Sequence, residues 1–336
     1  MSAAAVPLLE LRGVSKRFEK RLDFAGRIAR RLGARVSEST VHALDRVDLA
    51  IAEGEVVGLV GESGCGKSTL GRVVARILEP SEGERRWKGR PYAELDAAGS
   101  RAERLAVQMI FQDPYASLNP RMRIVDIVAE APVVHGLVDR AARDDYAAQM
   151  LDRVGMDASL LRRFPHQFSG GQRSRIGIAR ALAVKPRFLV CDEAVAALDV
   201  SIQAQVLNLF MRLREELQLT YLFISHDLGV IRHVSDRVVV MYLGRVVESA
   251  PAAELYAHPN HPYTQALVAE IPRVDARRRR FVPIRGEIPS PLAPPAGCHF
   301  HPRCPKALPR CREQAPALRS IAPGHLSACH LNDTAP

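Results

Sequence analysis

Glu55-Val-Val-Gly-Leu-Val60 followed by Gly61-Glu-Ser-Gly-Cys-Gly-Lys67-Ser68-Thr69 decides the fold. The first six residues carry too long an apolar run for a strand with one wet face and suit the buried centre of a parallel sheet. Glycines follow at once, and Lys67 to Leu78 has the composition of a helix. A strand, then G-x-x-x-x-G-K-[ST], then a helix is the arrangement of a phosphate-binding loop. Its glycines let backbone N–H groups close around phosphate oxygens, and the helix start adds a positive dipole. Lys67 reaches the β- and γ-phosphates, and Ser68 supplies a ligand for Mg²⁺. Gly61, Glu62, Ser63, Gly64, Cys65, Gly66, Lys67, Ser68 and Thr69 are therefore candidate ATP-binding residues.

Two more buried-strand patterns end in polar groups. Arg187-Phe-Leu-Val-Cys191 runs into Asp192-Glu193, and Thr220 to Ile224 runs into Ser225-His226-Asp227. Open α/β sheets bind ligands at such strand ends. Asp192 is placed to hold Mg²⁺, directly or through water, and Glu193 to polarise an attacking water. Two adjacent acids alone would be a solvated strand end; beside a phosphate loop they become a catalytic pair. Leu8 to about Ala52 alternates with period two, as half-buried strands do, around a charged insert at roughly Lys20 to Ser39. Asp113 to Leu182 is rich in helix formers and is expected to be a helical insertion. Within it, Ser169-Gly170-Gly171-Gln172 sets a Ser N-cap ahead of a helical run, which is a second potential anion site. The expected class is α/β, with a mainly parallel sheet.

Composition limits the partners. The 336 residues carry a net charge of +10, but the arginines are spread along the chain and aromatics are 5% of residues. A stacking platform with interleaved basic residues is not evident, so no nucleic acid is expected. Arg27, Arg30 and Arg31, and the run Arg277 to Arg280, concentrate charge that could face lipid headgroups or simply solvent. No apolar stretch approaches the roughly 20 residues of a spanning helix. The N-terminus lacks the basic and apolar regions of a secretory signal, so a cytoplasmic location is expected.

With the phosphate loop, Gln112 after an apolar strand, Ser169 to Gln172, Asp192-Glu193, Ala197-Leu198-Asp199 and His226 in this order, residues 8–250 resemble the ABC-type ATPases. The resemblance implies an antiparallel β subdomain, a helical subdomain at about 113–182 carrying the signature motif, and two nucleotide domains facing head to tail. It assigns Phe18 to adenine stacking, Gln112 to Mg²⁺ and water sensing, Glu193 to the general base and His226 to the γ-phosphate. Ser169 to Gln172 would act on the partner's ATP, and Asp199 would lie on the loop crossing the dimer interface. Phe111 to Pro120, Asp199 to Gln205 and His261-Pro-Tyr-Thr264 are similar to the oligopeptide and dipeptide importer ATPases. The long insert before Val41 is similar to the second of their two ATPase subunits. That implies an unlike ATPase partner, two membrane permeases, indirectly a substrate-binding protein, and a place on the cytoplasmic face of the membrane. The cargo stays open among peptides, nickel complexes and glutathione. A DNA-repair or translation ATPase would show a long heptad coiled coil or tandem nucleotide domains, and neither is present. Ala194 and Ala197 stand where the family has Pro and Ser, which puts communication between the two ATP sites in question.

After about Ser249 prolines become frequent, and residues 251–336 are expected to form a separate C-terminal extension. Cys298, Cys304, Cys311 and Cys329 are spaced C-x5-C-x6-C-x17-C, with His299, His301, His325 and His330 nearby. In a reducing compartment this argues for metal over disulfides. The spacing lacks the C-x2–4-C knuckle usual for zinc and also suits a [4Fe–4S] cluster, so both, and free thiols, remain open. The resemblance to peptide-importer tails implies the cluster.

Overall fold

The structure is a computed structural model that describes residues 6–20, 39–113, 115–271, 284 and 286–334. Most of the charged insert, with Arg27, Arg30 and Arg31, and the Arg277–Arg280 run lie outside the described residues.

The period-two alternation becomes two long strands, β1 (Leu9–Lys20) and β2 (Ser39–Ile51), paired antiparallel from Leu9↔Ile51 to Lys20↔Ser39. Leu9, Leu11, Val47 and Ile51 turn inward. After β3 (Val56–Val60) and α1 (Lys67–Val74), the chain returns as β4 (Glu82–Trp87) and β5 (Arg90–Pro91). These strands make a four-stranded sheet in the order β2-β1-β4-β5.

The remaining elements are α2 (Ala97–Ala106), β6 (Val107–Ile110), α3 (Ile124–Val134), α4 (Arg143–Arg153), α5 (Gly170–Leu182), β7 (Phe188–Asp192), α6 (Val200–Leu217), β8 (Thr220–Ile224), α7 (Leu228–Val234), β9 (Arg237–Tyr242), β10 (Arg245–Pro251), α8 (Ala252–Ala257), α9 (Pro262–Ala269), β11 (Arg319–Ala322) and β12 (His325–Ser327). The second sheet has the order β11-β12-β10-β9-β3-β8-β7-β6. From β9 to β6 its neighbours are parallel. Every residue of β3, β7 and β8 is buried, which is why these strands read as unbroken apolar runs. Three strand ends, at Val60, Asp192 and Ile224, thereby come level on adjacent strands and set the chemistry side by side. Phe210 on α6 meets Tyr221 and Phe223 of β8 edge-on, at 5.8 and 5.5 Å between ring centroids. Helices α3, α4 and α5 pack on one another through Ile124, Val128, Met150, Leu151 and Ile176.

The structure differs from the expected separate extension. Strand β10 pairs with β9 on one side and with β12 on the other, through Glu248↔Ser327 and Ser249↔Leu326, and β11 is the outermost strand. An open edge at β10 would expose unpaired N–H and C=O groups, and the tail covers it. Prolines and short spacing in the sequence concealed two strands of only four and three residues.

Close approach of α7 to β3 requires a glycine at position 58. A Cβ there would lie 2.4 Å from both Ile231 Cγ2 and Ser235 Oγ. Gly58→Ala is expected to cost about 1–3 kcal/mol through overpacking, read as a lower midpoint in denaturant unfolding of the purified chain.

Candidate ATPase active site

The phosphate loop joins β3 to α1 through a backbone that only glycine adopts easily. Gly61, Gly64 and Gly66 have φ of +152°, +79° and +106°. A Cβ on Gly66 would meet the Ala43 carbonyl at 2.3 Å, and one on Gly61 would meet the Met241 carbonyl at 2.3 Å. The loop is thus pressed between the two sheets. Lys67 opens α1 and is almost fully buried. Its Nζ donates to the carbonyls of Gly61 at 2.6 Å and Glu62 at 3.0 Å, holding the ammonium arched over the loop. Ser68 and Thr69 follow in the first turn. Cys65 is buried, and burial pushes its thiol up.

At the strand ends, Ser68 Oγ donates to Asp192 Oδ1 at 2.8 Å. Burial raises the Asp192 carboxyl, while the Ser68 hydrogen bond and the Arg72 charge pull it back down. Glu193 stands beside it with φ +47°, in the left-handed region that costs a non-glycine residue of order 1–3 kcal/mol. That turn sends its carboxylate out of the strand. One oxygen accepts from Gln112 Nε2 at 2.7 Å, and the other lies 3.3 Å from His226 Nδ1. Gln112, Glu193 and His226, far apart in sequence, form one polar row beside Ser68 and Asp192.

The other expected residues lie elsewhere. Phe18, on β1, is 40% exposed, with Lys16 Nζ 5.4 Å from its ring centroid. Ser169 caps α5: its Oγ accepts from the Gln172 N–H, and Gln172 Oε1 accepts from the Ser169 N–H. Gly170 and Gly171 pack toward Leu198 and Ile202; a Cβ on Gly171 would fall 2.5 Å from Ile202 Cγ2. Among the described residues, no hydrogen bond of Ser169 to Gln172 reaches the phosphate loop. Asp199 starts α6 with its side chain making no cap bond. Ala194 is buried and Ala197 exposed.

The four tail cysteines lie near enough to act on one another electrostatically. Burial pushes the Cys298 thiol up to about 11, with Cys311, Cys329 and Cys304 each adding to the rise. Cys304 and Cys329 are raised in the same way, by burial first. The Cys298 N–H donates to the Cys311 carbonyl at 2.9 Å. Among the described residues, no group of three or more His, Cys, Asp or Glu is arranged to hold a metal ion. The nearby histidines are engaged elsewhere. His299 Nδ1 lies 3.0 Å from the Leu243 carbonyl, and His325 Nε2 lies 2.7 Å from Glu248.

Two residues that sequence reasoning did not single out for a role grip the phosphate loop. The Glu62 N–H donates to Tyr263 Oη at 2.7 Å, and Arg303 forks onto the Glu62 carboxylate at 2.6 and 2.9 Å. Tyr263 belongs to His-Pro-Tyr-Thr and Arg303 directly precedes Cys304. The first stretch is one of the family marks, but nothing around either residue points back over some 200 residues to the loop.

Comparison with known proteins agrees with this geometry. Residues 44–196 match the ABC transporter family, and residues 247–311 match the C-terminal region of the oligopeptide/dipeptide transporters. The oligopeptide transport ATP-binding protein AppF of Bacillus subtilis is 49% identical over 329 residues, covering 96% of this chain and 97% of its own. The post-hydrolysis dimer of the ATP-binding cassette MJ0796 bound to ADP and Pi superposes with a TM-score of 0.61 at 27% identity, over 73% of this chain and 98% of that one. CbiO1 of Clostridium perfringens, part of an ABC transporter complex, gives 0.60 at 25% identity, over 75% and 91%. The chain belongs to the ATP-binding subunits of ABC transporters, in their oligopeptide/dipeptide transporter branch. It is an ATPase, and its partners are membrane permeases.

Gly66→Ala is expected to abolish high-affinity ATP binding, because the loop cannot keep φ +106° and clear the Ala43 carbonyl together. Titration of the full chain with a fluorescent ATP analogue checks this.

Proposed function

We propose that the chain powers import of peptides across the cytoplasmic membrane, working on its cytoplasmic face as one of two unlike ATPases. The observation that carries the reading is the row Ser68, Asp192, Glu193, Gln112 and His226 at the end of the phosphate-loop sheet. The match of the tail to the oligopeptide/dipeptide transporters and the name of the Bacillus subtilis relative support a peptide cargo. Among the described residues no helix is long and apolar enough to cross a membrane, so membrane passage falls to the permeases.

Lys67 and the loop amides hold the phosphates. The Ser68 hydroxyl and Asp192 carboxylate, 2.8 Å apart, are hard oxygen donors that fit Mg²⁺. When bound, the ion neutralises charge on the β- and γ-oxygens. Glu193 takes the proton of the attacking water as it adds to the γ-phosphorus and the bond to the ADP oxygen breaks. Gln112 fixes one of its carboxylate oxygens, and the other, 3.3 Å from His226 Nδ1, is the one that takes the water's proton. His226, 59% exposed at the rim, faces the γ-phosphate. Among the described residues Ser169 to Gln172 makes only local side-chain hydrogen bonds, which leaves it free to close over a nucleotide held by a second ATPase. The long insert before Val41 favours an unlike partner over a second copy. Asp199, whose carboxylate makes no cap bond, lies on the crossing loop, and the exposed Phe18 ring offers a face to adenine.

For the tail, zinc would need four donors about 2.3 Å from one point. Four cysteines without a C-x2–4-C pair would suit a [4Fe–4S] cluster, which spreads its ligands over four irons. Cys298, Cys304, Cys311 and Cys329 would hold it, and its chemistry would be structural or electron-storing.

Glu193→Gln should leave ATP binding intact and cut turnover by about 10²- to 10⁴-fold, the scale of a lost general base; single-turnover hydrolysis by the assembled transporter measures this, and normal turnover refutes the role. Anaerobically purified protein is expected to contain iron and sulfide with a broad absorption band near ~400 nm, both lost in Cys304→Ser; zinc or no metal refutes the cluster.

A further inference from the structure

Glu62 places a carboxylate inside a loop whose task is to receive polyphosphate. Unpaired, it would repel the ligand. Arg303 meets it with a two-point fork, its side chain 4% exposed against 22% for Glu62. The same arginine donates to Tyr242 Oη at 3.4 Å. Tyr242, Tyr263 and Phe300 pack against one another at 4.8–5.3 Å between centroids, so the guanidinium rests on a rigid aromatic wall. Tyr263 from that wall accepts the Glu62 N–H, while the Glu62 carbonyl accepts from Lys67. Glu62 is therefore fixed at its N–H, carbonyl and carboxylate. Two of the three holds come from the C-terminal region. Phe300 and Arg303 lie between Cys298 and Cys304.

We propose that Arg303 is a positioning residue for ATP binding: its buried ion pair with Glu62 neutralises and fixes the first turn of the phosphate loop, tying nucleotide affinity to the cysteine-bearing tail. A loop set before ligand arrives spends less binding energy on ordering. Removing Arg303 alone leaves a half-buried carboxylate unpaired within the phosphate loop, the costly way to break such a pair. Removing both partners takes away the repulsion and the unpaired charge together.

The test is equilibrium binding of a fluorescent ATP analogue with Mg²⁺ to the full chain, with thermal midpoints measured alongside. Arg303→Gln is expected to raise Kd about tenfold, equivalent to 1.4 kcal/mol. The Arg303→Gln, Glu62→Gln double variant is expected to recover most of that loss. Arg303→Lys, which keeps the charge but not the fork, should fall between and guards against a Gln variant that does not fold. In the assembled transporter Arg303→Gln should raise KM for ATP in step with Kd while kcat stays within about twofold. An unchanged Kd with a lowered midpoint, a double variant whose losses simply add, or a loss confined to kcat would overturn the proposal. It rests on ATP binding at this loop, which the wild-type titration tests separately.

Discussion

The loop between β3 and α1 can close only if it bends where side chains cannot follow. Three glycines at positive φ let it do so, and carbonyls of Ala43 and Met241 press on it from either sheet. Everything chemical depends on that compression. It aims backbone N–H groups and the helix start at one small volume, and it places Lys67 across the opening and Ser68 against Asp192. The two sheets are joined at the loop itself.

Around that point the fold arranges charges in order of burial. Asp192 is buried and hydrogen-bonded, Glu193 turns outward through a strained backbone, and His226 stands at the rim. The buried carboxylate holds position, the partly buried one points toward the opening, and the exposed imidazole stands where a ligand would enter. The strain at Glu193 is the cost of setting two adjacent acids to different tasks.

The C-terminal region enlarges the sheet beyond the parallel core and returns to the loop through Tyr263 and Arg303. A covering for a sheet edge thus doubles as a brace for the nucleotide site. The aromatic wall of Tyr242, Tyr263 and Phe300 makes the brace stiff, because edge-on and tilted rings at about 5 Å leave little room to slide.

The sequence by itself determined the parallel core and the chemistry at its strand ends. Unbroken apolar runs at 56–60, 188–191 and 220–224 each end in polar residues, and local backbone physics makes such runs central strands. The phosphate loop was legible for the same reason: its constraints fall on nine consecutive residues. Only the tertiary structure decided that Gln112 and His226 flank Glu193, that the tail adds β11 and β12 to the main sheet, and that Arg303 reaches Glu62. These contacts join residues 33 to 241 positions apart. Periodicity and spacing act along the chain, whereas ion pairing and edge coverage are settled by which surfaces meet once the core has packed.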